Sequence, residues 1–143
     1  MSIPREFRLR KHAEFELVYR CGRRHFSHVL TAFYLLRAND LGSAGPRIGI
    51  TAGKALGKAT VRNRIKRRVR AAITENLTRL TRPVDVVVNP KKVALTVEYA
   101  EISSEIARAF DSIQQKAVLP DERQNQNAGN HNSEKPRIAI RNP

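Results

Sequence analysis

The run RIGITAGKALGKATVRNRIKRRVRAA, Arg47 to Ala72, holds a strand, a glycine-punctuated turn and a helix in one continuous stretch. RIGITA is compact and partly β-branched, which suits a short strand. From Lys58 to about Leu77 the apolar spacing becomes helical. TRP then interrupts, since proline lacks the backbone donor and clashes with the preceding turn. VDVVVNP follows as a Val-rich strand closed by Pro90. Strand, helix, strand in this order predicts a crossover, and with it a mixed α/β protein.

Working outward, AEFELVYRCG places Phe15, Val18 and Tyr19 at helical i, i+3, i+4 spacing and stops at Gly22. SHVLTAFYLLRA, rich in aliphatic and aromatic residues, reads as strand, with GRRHF before it as a further extended candidate. The turn-prone NDLGSAGP separates these from RIGITA. On the far side, LTVEYAEISSEIARAFDSIQQ repeats apolar residues at Tyr99, Ile102, Ile106, Phe110 and Ile113, with Thr96 as candidate N-cap. The expected order is helix, two or three strands, helix, strand, helix, with the helices packed on a small sheet.

Charge is the second strong signal. The 143 residues carry a formal net charge of +14 and only one cysteine, Cys21, so no disulfide can form within the chain. Composition changes near Val118, where a stretch rich in Asn, Gln and Pro begins. Residues 1–117 are read as one domain and 118–143 as a disordered polar tail. Four of the 27 basic and three of the 13 acidic residues fall in that tail, so the domain itself carries +13. Self-repulsion of this size is usually borne because the partner is a polyanion, either nucleic acid or an anionic membrane surface. Neither a signal peptide nor a run of about 18 apolar residues is visible, so a soluble, cytoplasmic protein without a membrane partner is expected. Because the tail has too few apolar residues to add to a core, deleting residues 121–143 is expected to leave the melting temperature nearly unchanged. A fall of several degrees on thermal unfolding would show instead that PRIAI docks on the domain.

Most of the charge is concentrated between Lys54 and Arg70, which holds eight Lys or Arg and no acid. On a helical wheel with Val61 at zero, steps of about 100° bring Ile65, Val69 and Ala72 into one narrow apolar stripe. Arg62, Asn63, Lys66, Arg67 and Arg70 share the opposite face. Arg64 and Arg68 fall on a flank, where an aliphatic stem can lie on apolar surface. A solvated helix face normally mixes Glu with Lys at i, i+4, whereas like charges at that spacing repel. Arg62, Lys66 and Arg70 therefore point to an anionic partner. Lys54 and Lys58, beside Gly53 and Gly57, stand just ahead of the helix N-terminus, where free backbone N–H groups favour phosphate oxygens. The glycine spacing in GKALGKAT does not fit a Walker A loop.

At these residues the sequence resembles the bacterial ribonuclease P protein component. Arg62, Asn63 and Arg64 match its Arg-Asn-Arg signature, and Lys66 and Arg67 the Lys/Arg-Arg pair that follows. Gly57, Lys58 and Ala59 match the lead-in, FRLRKHAEFELVYRCGRR the front of the family and DVVVNP its last strand, so the likeness spans roughly residues 5–115. The resemblance implies an α/β (α+β) fold of four strands and three helices, a two-layer sandwich with a left-handed βαβ crossover, against the usual hand. It implies an accessory protein subunit that binds the catalytic RNA of ribonuclease P and the 5′ leader of precursor tRNA. Cleavage belongs to the RNA, with Mg²⁺ bound mainly by RNA and substrate, and no obligate protein partner is inferred. Carried over, Lys54, Lys58, Arg62, Asn63, Arg64, Lys66, Arg67 and Arg70 contact RNA, while Phe15, Tyr19 and Phe33 line the leader cleft. No residue of the chain is expected to be catalytic or to bind metal. Ala52 and Gly53 depart from the Ser and Lys usual in the family, which removes one positive side chain beside the RNA face.

Two other features are read as structural. His25 and His28 lack further ligands at metal-binding spacing and suit solvent-facing strand positions. Asp85 has no second carboxylate beside it, which disfavours a two-metal protein nuclease. A ribosomal or general RNA-binding protein would share the basic helix without the aromatic cleft, and stands as the alternative.

Overall fold

The computed structural model describes residues 3–37 and 45–117. The stretch 118–143, expected to be a disordered tail, lies outside the described residues, as does most of NDLGSAGP. Three helices, α1 (His12–Cys21), α2 (Ala59–Asn76) and α3 (Tyr99–Lys116), accompany four strands, β1 (Arg23–Phe26), β2 (Leu30–Leu36), β3 (Arg47–Ile50) and β4 (Val84–Pro90). The strands form one mixed sheet in the order β1-β2-β4-β3. Strands β1, β2 and β4 pair antiparallel, whereas β3 pairs with β4 in parallel, as the crossover through α2 requires.

Alternation along the two central strands divides the interior. Leu30, Ala32, Tyr34 and Leu36 of β2, with Val84, Val86 and Val88 of β4, join Ile48 in the main core beneath α2 and α3. Phe33, Leu35 and Val87 point the other way and form a smaller core with Val18 and Leu9 under α1. Burial on both faces explains why AFYLL and VVV read as continuous apolar runs rather than alternating ones. Helix α2 buries Ile65, Val69 and Ala72, the stripe its periodicity predicts, and also Ile73 and Asn76. Helix α3 buries Ile102, Ile106, Phe110 and Ile113.

Two expectations at the start of α3 are corrected. The N-cap is Glu98, not Thr96, because residues Lys92–Leu95 form a 3-10 turn whose C-cap is Thr96. Tyr99, the first residue of α3, is not in the core: its hydroxyl donates to Glu75 Oε1 at 2.7 Å on α2. Partial burial and this carboxylate push its phenol up to about 12. Gly22 ends α1 as expected, but in extended backbone at φ −85° rather than the left-handed region. A side chain is excluded there by backbone, since a Cβ would lie 2.5 Å from the Val18 carbonyl oxygen and 2.6 Å from that of Tyr34. The missing side chain lets the helix end turn directly into β1.

Candidate nucleic-acid interface

The basic helix is introduced by a 3-10 turn, Lys54–Leu56, and by Gly57 at φ 130°. Gly57 is the one described residue with positive φ, a conformation that strains any residue with a Cβ. This turn leaves Lys54 and Lys58 exposed at the start of α2. Arg62 Nε donates to the Gly57 carbonyl at 3.2 Å, tying the first helical turn to the lead-in. Asn63, Arg64 and Arg67 are exposed, whereas Lys66 and Arg70 are half-buried. None of these lysines and arginines has a carboxylate partner among the described residues. Arg68 differs: Nη1 and Nη2 donate to the Ala94 and Val97 carbonyls, each at 2.6 Å, so it fastens α2 to the turn before α3.

Lys66 and Arg70 reach a groove of about 420 Å³ whose other walls include Arg10, Phe15, Gly49 and Ile50. The groove joins the segment leading into α1, strand β3 and the near side of α2. Gly49 makes room for its aromatic wall, since a Cβ there would come within 2.4 Å of Phe15 Cζ. A glycine inside a strand is the sequence signal for such close approach. Arg10 was missed from the sequence because nothing local distinguishes it from the neighbouring basic residues.

The three aromatic residues are not equivalent. Phe15 and Tyr19 are half-buried on one side of α1. The Tyr19 hydroxyl donates to Asn89 Oδ1 at 3.0 Å and lies 3.2 Å from Thr51 Oγ1. Phe33 is only 8% exposed and meets Tyr19 edge to face, with ring centroids 4.8 Å apart. It backs Tyr19, and the open ring surface belongs mainly to Phe15 and Tyr19.

Carboxylates on this sheet face are held by guanidinium groups. Asp85 receives Arg37 Nη1 at 2.7 Å, and Arg47 Nε and Nη2 both at 2.9 Å. Arg47 Nη1 also reaches Glu14 Oε2 at 2.9 Å, so one network links α1, β3, β4 and the end of β2. Burial raises the Glu14 carboxyl, but the Lys11 backbone N–H and Arg47 offset it and hold the group below its ordinary range. Hydrogen bonding to Asp85 raises Arg47. Asp85 thus serves as a structural clamp. Of the two histidines expected at solvent-facing strand positions, His25 of β1 is half-buried, with its pKa lowered by burial and by Lys116, whereas His28 is exposed but lies in the bend between β1 and β2, where it pairs with Glu101 of α3. Among the described residues no three His, Cys, Asp or Glu side chains form a metal-binding group, and no helix is long and apolar enough to cross a membrane.

Comparison with known proteins fits this arrangement. Residues 3–114 match the sequence family described as Ribonuclease P. The chain belongs to the ribonuclease P protein family. The ribonuclease P protein component of Acidothermus cellulolyticus is 31% identical over 113 residues, covering 79% of this chain and 92% of that protein. That of Rhodococcus opacus is 34% identical over 107 residues, covering 73% and 86%. The solved structure of the ribonuclease P protein from Thermotoga maritima superposes with TM-score 0.65 at 25% identity, over 74% of this chain and 96% of that one. The Staphylococcus aureus protein shares the fold, with TM-score 0.64 at 21% identity over 76% and 95%. Membership makes the chain a protein subunit of ribonuclease P, a ribonucleoprotein endoribonuclease of tRNA processing, and brings RNA binding with it. The Arg62 to Arg67 signature lies inside the ribonuclease P match, and the polar C-terminal stretch, residues 118–143, lies beyond it.

Proposed function

We propose that residues 1–117 act as one RNA-binding domain with two adjoining surfaces. The outward face of α2, with Lys54, Lys58, Arg62, Asn63, Arg64 and Arg67, takes the catalytic RNA. The groove beside it takes the single-stranded 5′ leader of precursor tRNA. The observation that carries this reading is the meeting of Phe15 with Lys66 and Arg70 in one groove. An aromatic wall facing cationic side chains suits a single strand, which offers unstacked bases on one side and phosphates on the other. Tyr19, with Phe33 behind it, continues the aromatic wall along α1. The protein contributes positioning and charge neutralisation, and the cleavage chemistry resides in the RNA. Mg²⁺ is assigned to the catalytic RNA and the substrate, and on the protein side Glu14 and Asp85 are hydrogen-bonded to guanidinium groups.

Reconstitution tests the assignment. With the cognate catalytic RNA the protein is expected to promote leader removal at low Mg²⁺. Binding without any effect on cleavage would indicate a general RNA-binding protein, and cleavage without the RNA subunit a protein nuclease. Within the complex, replacing Arg67 by Ala is expected to weaken affinity for the catalytic RNA. It should also flatten the dependence of log affinity on log salt by about 0.7 to 0.9. An unchanged slope would remove Arg67 from the phosphate-contacting set.

A further inference from the structure

The edge strand β1 carries an exposed aromatic and cationic pair on the sheet face occupied by α1. Phe26 is 65% exposed, the most exposed of the large hydrophobic residues described. A ring this exposed at a sheet edge leaves much of its surface open to a ligand. The Arg24 guanidinium carbon lies 5.3 Å from the centre of the Phe26 ring and 5.9 Å from that of Phe33. Register explains the placement: Arg24 stands opposite Phe33, and Phe26 opposite Thr31, which in turn stands opposite Asn89. Asn89 is the residue that receives the Tyr19 hydroxyl. Rings and polar side chains therefore continue from Tyr19 across β2 to β1, one strand spacing of about 5 Å further. Arg24 has no carboxylate partner among the described residues.

We propose that Arg24 and Phe26 form an additional nucleotide-binding position for single-stranded RNA, at which a base stacks on Phe26 and its phosphate meets the Arg24 guanidinium. The proposal rests on the leader-groove reading above and extends it away from α2, across the sheet to its β1 edge. Three features identify the occupant. The site is continuous with the Tyr19 and Phe33 contact, its only formal charge is positive on a chain of net +14, and a ring open on one side suits an unpaired base without regard to sequence. A cation held over two rings keeps its outer N–H groups for a phosphate oxygen.

The test compares holoenzymes carrying wild-type protein, Phe26→Ser, Phe26→Tyr and Arg24→Gln on precursor tRNAs whose leaders are lengthened one nucleotide at a time. Wild type should gain affinity until the strand has passed β1. Phe26→Ser should stop gaining earlier, leaving a deficit of about five- to a hundredfold on long leaders and none on mature tRNA or the shortest leaders. Phe26→Tyr should follow wild type. Arg24→Gln should show its deficit on the same long leaders, with a salt slope smaller by about 0.7. If wild type gains with leader length and Phe26→Ser and Arg24→Gln gain in parallel with it, the β1 position is refuted while the groove reading stands. A deficit independent of leader length also overturns the position. If wild type gains nothing from any leader, the groove reading itself fails. Thermal unfolding of Phe26→Ser should match wild type, as expected for so exposed a ring.

Discussion

Replacing Asp85 by Ala is expected to destabilise the domain by about 3–5 kcal/mol, the range for removing one partner of a buried ion pair. Asp85 and Arg37 are both almost fully buried, and Arg47 forms two hydrogen bonds to the same carboxylate. Without the carboxylate, two guanidinium groups remain beside each other in a partly dry site, and the strand ends they join lose their common acceptor. Denaturant unfolding should show the loss directly. Asp85→Asn keeps the size and one acceptor oxygen and should fall between Ala and wild type. A catalytic acid would behave differently, since its removal would abolish cleavage while the protein unfolded at the wild-type midpoint.

Replacing Tyr19 by Leu is expected to weaken precursor tRNA binding by about 1–3 kcal/mol, the usual contribution of one aromatic stacking face. The same change also removes a half-buried hydrogen bond to Asn89, so stability should fall by about 0.5–1.5 kcal/mol. Tyr19→Phe separates the two effects, because it loses the hydroxyl but keeps the ring. It should share the loss of stability and retain precursor binding. Mature tRNA, which has no leader, should bind holoenzymes of all three proteins almost equally. Equal losses for precursor and mature tRNA would mean that Tyr19 touches no leader and serves only to hold α1 on the sheet.

Much of the fold was legible because helix and strand periods are local properties of the chain. The stripe Ile65, Val69 and Ala72 had to face a core wherever the helix lay, and the unmixed sign of Arg62, Lys66 and Arg70 pointed to an anionic partner without any coordinates. What each flanking or aromatic side chain meets was not local. Arg64 and Arg68 lie on the same flank of the wheel, yet Arg68 is consumed by two carbonyls that the chain supplies 26 and 29 residues later. Phe33 sits in a strand whose two faces are both apolar, so only the crossing of α1 over the sheet decided that it would be buried beneath Tyr19. The glycines divide in the same way. Gly57 is required by its own backbone angle, whereas Gly22 and Gly49 are required by atoms of other segments.

The sequence by itself therefore determined the order of elements, the apolar faces, the cationic helix and the family. Tertiary structure decided which cations among the described residues are left without a carboxylate partner, which rings stay open, and that Asp85 is a clamp. The physical reason is separation along the chain. Periodicity and net charge sum over neighbouring residues, while the partners of Asp85 lie 48 and 38 residues away and Asn89 lies 70 residues from Tyr19. Contacts at such distances exist only after the register of β2, β3 and β4 has been set by packing both faces of the sheet.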